Sequence, residues 1–271
     1  MPYESLGHMP RAPLVYSLAM IQYAPVARIA DYAEDIVEAL RAEYPDSGDY
    51  TVNGITIQIS GPDQSIDRPQ KRSPQWRMTS ANGQFGFVFG ADRIVFHTTE
   101  YDHFQSFAQR LQPVIEIVFK LAKVSHTRGM GIRHIDNIVP IDGMGFDVLL
   151  RPGYLCPAQN DDLSPKSSRV EFVYRSSLGD LYARCYLLRN HPKVPHDLFQ
   201  LAGQLPLADL MAERQDQFVL ADTDHIYHVG EFEKFEIQNV MGKLDQLHKQ
   251  NSMGFRAMVT PDAINAWKRD E

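Results

Sequence analysis

At 271 residues, with 44% hydrophobic and 23% charged positions, the chain has the composition of an ordinary globular protein and enough apolar residues for one large core or two small ones. A formal charge of −7 argues against affinity drawn from a phosphate backbone, because such proteins present clustered Lys and Arg that displace counterions. Two cysteines, Cys156 and Cys185, make neither a disulfide scaffold nor a paired zinc site, which points to a reducing compartment.

Residues 1–13 hold three prolines and no continuous apolar run. Later apolar runs fall short of the roughly 18 to 20 residues needed to span a bilayer, so the expectation is a cytoplasmic protein with no membrane partner. Leu14 to Tyr23, bracketed by Pro13 and Pro25, is rich in strand formers and reads as a buried strand. Ile29, Tyr32, Ala33, Ile36, Val37 and Leu40 then recur at three-and-four spacing, which predicts an amphipathic helix ending before Pro45. Ile55, Ile57 and Ile59 alternate with polar residues as in a half-buried strand, and Gly61 to Pro74 reads as a polar loop. Arg68 to Arg77, the best basic stretch, reads as a solvated loop.

A hairpin follows, turning at Asn82-Gly83, where both residues tolerate positive φ. Its second strand, Phe85 to Phe89, precedes another at Arg93 to His97 and a long helix predicted over Tyr101 to Val124, with Pro113 inside it. Gly129 to Val139 reads as a strand and Asp142-Gly143 as a turn. The chain then gives a hairpin at Val170 to Leu188, an irregular stretch at Asn190 to Gln215, a strand at Phe218 to Val229 and a helix at Phe235 to Gln250. Thr260-Pro261-Asp262 opens a short terminal helix, with Pro at its first position.

Laid side by side, the two halves carry the same series: a hairpin, a strand with Asp-x-Ile, an aromatic-x-x-Phe step and a long helix. Trp76 to Thr79, Phe85 to Phe89, Asp92-Arg93-Ile94 and Tyr101-x-x-Phe104 form one copy. Val170 to Arg175, Leu181 to Leu187, Asp224-His225-Ile226 and Phe232-x-x-Phe235 form the other. The expected fold is therefore α+β: two related antiparallel sheet units, each packed on a long helix, as in a tandem ferredoxin-like or helix-grip-like pseudo-repeat. The units would be 1–142 and 143–271, the second with an insertion at 190–215, the kind of loop that often carries function.

Candidate chemistry is sparse. Asp222, Asp224 and His228 share one strand face and form the densest set of potential ligands, suited to a divalent transition metal, while His225 points the other way. On the strand after the first long helix, Arg133 and Asn137 face one side and His134 and Asp136 the other. An imidazole beside a carboxylate is the usual material of an oriented general base, so His134 and Asp136 are the catalytic candidates. His191 and His196 in the insertion, with Arg133, are candidates for contacting a partner. No nucleophile elbow, phosphate loop, dinucleotide fingerprint or HExxH motif is present, and no cofactor is predicted.

Pro13-Leu14-Val15, Ile132-Arg133-His134-Ile135-Asp136-Asn137-Ile138, and Leu244-Asp245-x-Leu247-His248 followed by Phe255 and Thr260-Pro261 resemble an uncharacterised, sporadically distributed bacterial family of about this length. The resemblance implies no activity. In that family the middle motif more usually reads Leu-Arg-Tyr-Ile-Asn, so His134 and Asp136 depart from it and no catalytic residue carries over. With catalytic motifs missing, the leading expectation is a non-enzymatic binding or regulatory protein that recognises another protein, such as an immunity, antitoxin or defence-cassette component. The alternatives are a metal-assisted hydrolase or nuclease using the Asp/His cluster, and an RNA-binding or RNA-processing protein stacking bases on the strand aromatics Phe85, Phe87, Phe89, Tyr174, Tyr182 and Tyr186. A homo-oligomer is compatible with all three; nucleic acid is the less favoured partner.

Overall fold

The first strand, β1 (Leu14–Tyr23), sits near the middle of the molecule because almost every residue in it has an apolar or small side chain for each face of the sheet. A computed structural model describes residues 9–50, 74–155, 165–202 and 208–269. The expected strand over Ile55 to Ile59 and most of the basic stretch lie outside those residues. After β1 come α1 (Ile29–Leu40), β2 (Asp46–Tyr50), β3 (Gln75–Thr79), β4 (Phe85–Gly90), β5 (Arg93–Thr98), α2 (Phe104–Leu121) and β6 (His126–Ile138). The second half contributes α3 (Phe146–Leu149), β7 (Ser168–Arg175), β8 (Gly179–Leu188), β9 (His191–Pro192), α4 (Phe199–Ala202), α5 (Ala208–Met211), β10 (Glu213–Arg214), β11 (Phe218–Lys234), α6 (Ile237–Met258) and α7 (Pro261–Trp267).

Nine strands form a single antiparallel sheet in the order β2-β3-β4-β5-β1-β6-β11-β8-β7, and β9 pairs with β10 apart from it. This corrects the expectation of two sheets. β1 pairs with β6 from Leu14 opposite Asp136 to Tyr23 opposite Thr127, so the edges that two separate sheets would have left open satisfy each other. Outward from that seam the strands run β5-β4-β3 on one side and β11-β8-β7 on the other, and a long helix follows both β5 and β11.

The long helices lie on one face. There α1, α2 and the first half of α6 cover Ile21, Tyr23, Phe87, Phe89, Phe96 and Ile132. Burying each such side chain contributes about 1.5–3 kcal/mol, which is why this half of the sheet needs no other fastening. A separate cluster on the same face joins Ile138, Ala183, Val219 and Ala221 to Phe255, Met258 and Trp267 of α6 and α7. The opposite face is covered by the 190–215 segment, whose Val194, Leu198, Leu201 and Leu210 pack on Tyr16, Leu18, Ile135 and Leu220.

Local signals explain the boundaries. Gly83 adopts φ +70° in the first hairpin turn, as its sequence required. Thr260 caps α7, its Oγ1 accepting from the Ala263 amide at 3.2 Å. α6 runs two turns past the expected end at Gln250. Asn251, Ser252 and Gly254 resemble a helix stop, yet all are buried, and Gly254 lets the helix approach β8: a Cβ there would sit 3.0 Å from Leu181 Cδ2. Among the described residues no helix is long and apolar enough to cross a membrane.

Candidate functional site

The two apolar clusters on the helical face do not meet. Down β6 the inward side chains run Met130, Ile132, His134, Asp136, Ile138, with the apolar ends in different clusters and a polar pair between. β11 repeats the break, with Thr223 and His225 between Tyr227 and Ala221, and α6 repeats it again, where Asn251 follows Leu244 and Leu247 and precedes Phe255 and Met258. Strand alternation and helical spacing thus place one polar strip across three elements.

Over this strip opens a cleft of about 530 Å³, within the size range of small-molecule sites. Its walls are residues 9–14, the Thr99–Gln105 loop that leads into α2, and the α6 face bearing Asp245, His248, Lys249, Ser252 and Phe255. A register shift in β1 between Leu14 and Tyr16 lies beside Asp136, where such a bulge re-aims side chains at a strand end.

Four polar groups of the cleft are buried and lack partners. His134 is 7% exposed, Asp136 5%, Thr223 1% and Asn251 0%. Nε2 of His134, Oγ1 of Thr223 and Oδ1 of Asn251 have no hydrogen-bond partner, and among the described residues the Asp136 carboxyl has neither a hydrogen bond nor an ion pair. Each unmade bond of this kind costs about 1–3 kcal/mol, so their grouping in one strip beside the cavity sets this stretch apart from the apolar face around it. The other ends of these side chains are fixed. His134 Nδ1 meets Ser17 Oγ at 2.8 Å, and Asn251 Nδ2 donates to the Thr223 carbonyl at 3.3 Å. Aromatic neighbours hold the imidazoles: His248 stacks on Phe104 with centroids 4.7 Å apart, and Tyr101 lies edge-on to His134 at 5.1 Å. Tyr101 Oη also reaches His248 Nδ1 at 3.3 Å.

Burial decides the charge state. It pushes Asp136 up to about 8, assisted by the Asp222 charge across the sheet. Burial likewise lowers His134 to about 3, with His248 adding to it, and lowers His248 itself to about 4. At neutral pH His134 and His248 are therefore neutral imidazoles and Asp136 a largely protonated carboxyl. His134 and Asp136 do converge on one wall, but they do not bond to each other; Ser17, rather than the carboxyl, orients the imidazole. Ser17 is itself wholly buried beneath His134, and neither Thr223 nor Ser252 is hydrogen-bonded to an imidazole; the cleft hydroxyl that does meet one is the phenol of Tyr101, at His248.

The metal candidates are placed differently. Asp222 and Asp224 share the opposite face, as expected, but residues on one strand face advance about 6.6 Å per pair, so His228 stands about 20 Å from Asp222 and is exposed. Two guanidiniums occupy Asp222: Arg133 contacts both its oxygens at 2.8 and 2.7 Å, and Arg184 adds a bond at 3.2 Å. Burial works to raise Asp222, yet the arginines outweigh it and hold the carboxyl below its usual range. Asp224, 3.8 Å from Arg184, is pushed by burial to about 6. Among the described residues no group of three His, Cys, Asp or Glu is placed to hold a metal.

Of the partner candidates, Arg133 is buried and ties the insertion to the sheet through Asp197 at 2.6 Å. His191 and His196 come together at the insertion, their rings 5.0 Å apart, and His196 is exposed. His225 is a satisfied core residue, bonded to Ser176 Oγ at 2.9 Å and to the Leu247 carbonyl at 3.2 Å. Phe85, Phe87 and Phe89 are buried in the core and present no stacking surface. Sequence reading missed Thr223, His248 and Asn251. The signal was there for Asn251, a polar residue at a core position of the α6 repeat. A scan of protein-family models matches none, and no curated protein matches the chain.

Proposed function

We propose that the protein binds a small molecule in the cleft between the Thr99–Gln105 loop, α6 and the β1/β6 seam. The carrying observation is the strip of buried, unpartnered polar atoms on His134, Asp136, Thr223 and Asn251 that interrupts an otherwise apolar face. Binding is favoured over turnover because the aliphatic hydroxyls of Thr223 and Ser252 are not joined to a base, while burial holds the His134 and His248 imidazoles neutral until well below neutral pH. This reading keeps the expectation of a binding protein and changes its occupant. Recognition of a protein through the insertion is supported less, since Arg133 is consumed in ion pairs within the fold.

We also infer that the scaffold arose by internal duplication, with the strand order mirrored about the β1/β6 seam as its support. The boundary then falls between α2 and β6, and the cleft lies where the two halves join, over the seam. The experiment that tests the function is direct: protein purified from its native host is denatured and the released small molecules are identified by mass spectrometry, with an Asp136→Leu variant, which fills and neutralises the wall, as the control.

A further inference from the structure

Resting on that cleft reading, we propose that the ligand is a small organic cation carrying several N–H donors, an amine, amidine or guanidine, and that the Asp136 carboxylate is its counter-ion. The cleft is rich in acceptors. Asn251 uses one amide N–H on the Thr223 carbonyl, and its buried Oδ1 is left without a hydrogen-bond partner. The Asp136 carboxylate adds two more acceptor oxygens, and Thr223 Oγ1 can accept as well.

The charge of the walls points the same way. Glu100, Asp102, Asp136 and Asp245 line the cleft, against Lys249 as its one Lys or Arg among the described residues, and Lys249 already meets Asp245 at 2.5 Å. Asp102 is engaged by His103 at 2.7 Å. Asp136 is thus the deepest carboxyl of the four, and, unlike the exposed Glu100, it is buried with no cation beside it among the described residues. A buried carboxylate without a partner is strongly unfavourable, and a ligand ammonium or guanidinium placed against it relieves that cost. An anionic ligand would meet four wall carboxyls and, among the described residues, no Lys or Arg without a partner. Faces of Tyr101 and Phe255 along the wall suit the apolar body of such a cation.

A proton must leave Asp136 when the cation arrives. The groups facing it are His134 on its own strand, Glu100, Asp102 and His103 from the loop before α2, Asp245, His248 and Lys249 from α6, and Asp222 from across the sheet. Affinity should therefore rise as pH rises from 6 to 8, by about tenfold per unit at the acid end, and level off above the Asp136 titration.

The test is a fragment screen of the full chain, followed by NMR of the His134 and His248 imidazole resonances. The set is balanced among primary amines, amidines and guanidines, neutral amides and alcohols, and carboxylates. The expected result is that cationic fragments shift both imidazoles, bind at least tenfold more weakly to Asp136→Asn, and show the pH rise in the unaltered protein. Equal or better binding by neutral or anionic fragments, unchanged cation affinity in Asp136→Asn, or a flat pH profile would overturn the cation assignment while leaving the cleft as a site. If no fragment of any class moves either imidazole, the cleft reading falls with it.

Discussion

At the scale of single residues, Asp136 is a buried carboxyl that costs the fold stability. Burial lifts its folded-state pKa to about 8, far above the value in an unfolded chain. The folded protein therefore holds a proton that the unfolded chain has released between roughly pH 4 and 8, and stability falls as pH rises through that window. Asp136→Asn removes this dependence without changing shape. In urea denaturation at pH 5, 6.5 and 8 the variant should gain on the unaltered protein as pH rises, by up to about 1.4 kcal/mol per unit. A constant difference would mean that Asp136 is already ionised and paired in the empty protein. The opposite face follows a different rule: Asp222 is as buried as Asp136 but bracketed by Arg133 and Arg184, so its charge is stabilised where it stands. Asp222→Ala should cost about 3–5 kcal/mol, because it strands Arg133 within the sheet, and the chemical denaturation midpoint reads that loss.

Among elements, β6 and α6 do most to build the cleft, and they were unequally legible. The alternation along β6 separated His134 and Asp136 from Arg133 and Asn137 correctly, since period two leaves one arrangement of faces. What alternation leaves open is which face meets a helix and which meets the insertion, a matter of long-range packing. α6 was read short because Asn251, Ser252 and Gly254 are poor helix formers, and tertiary burial overrode that preference. Gly254 belongs to the contact with β8 rather than to a turn. Gly254→Val should push α6 away from Leu181 and lower stability by about 1–3 kcal/mol in thermal or chemical denaturation. Because Asn251 rides on the same turn, the substitution should also weaken any ligand held there. A variant as stable as the parent would show that α6 is not seated on β8 at this point.

For the whole molecule, the order of strands and helices read from the sequence anticipated the α+β class and the long helices, while the joining of two expected sheets into one was out of reach. Nothing local in β1 or β6 states that each is the other's neighbour; both read simply as buried strands. The buried histidines make a prediction at this scale. Burial lowers His97 and His134 to about 3 and His248 to about 4, and it lowers His225 and His228 in the same direction. A group whose folded pKa lies below its unfolded one contributes stability above the unfolded value, near 6.5, and loses it as pH falls. Asp136 and Asp224 act in the opposite sense as pH rises, Asp224 up to about 6 and Asp136 up to about 8. Stability should peak near pH 6.5–7 and decline on both sides, which a pH series of thermal melts checks; a plateau down to pH 4 would contradict the neutral burial of these rings.

The measurement that bears most directly on the central claim is the mass spectrum of what the protein releases when it is denatured after purification from its native host. A small molecule present in near-stoichiometric amount, absent from Asp136→Leu protein purified in parallel, is the predicted result. Release of the same molecule in equal amount from both proteins would place its site elsewhere. Release of nothing, from protein whose melting temperature is also unmoved by its host's small-molecule extract, would mean that water alone fills the cleft.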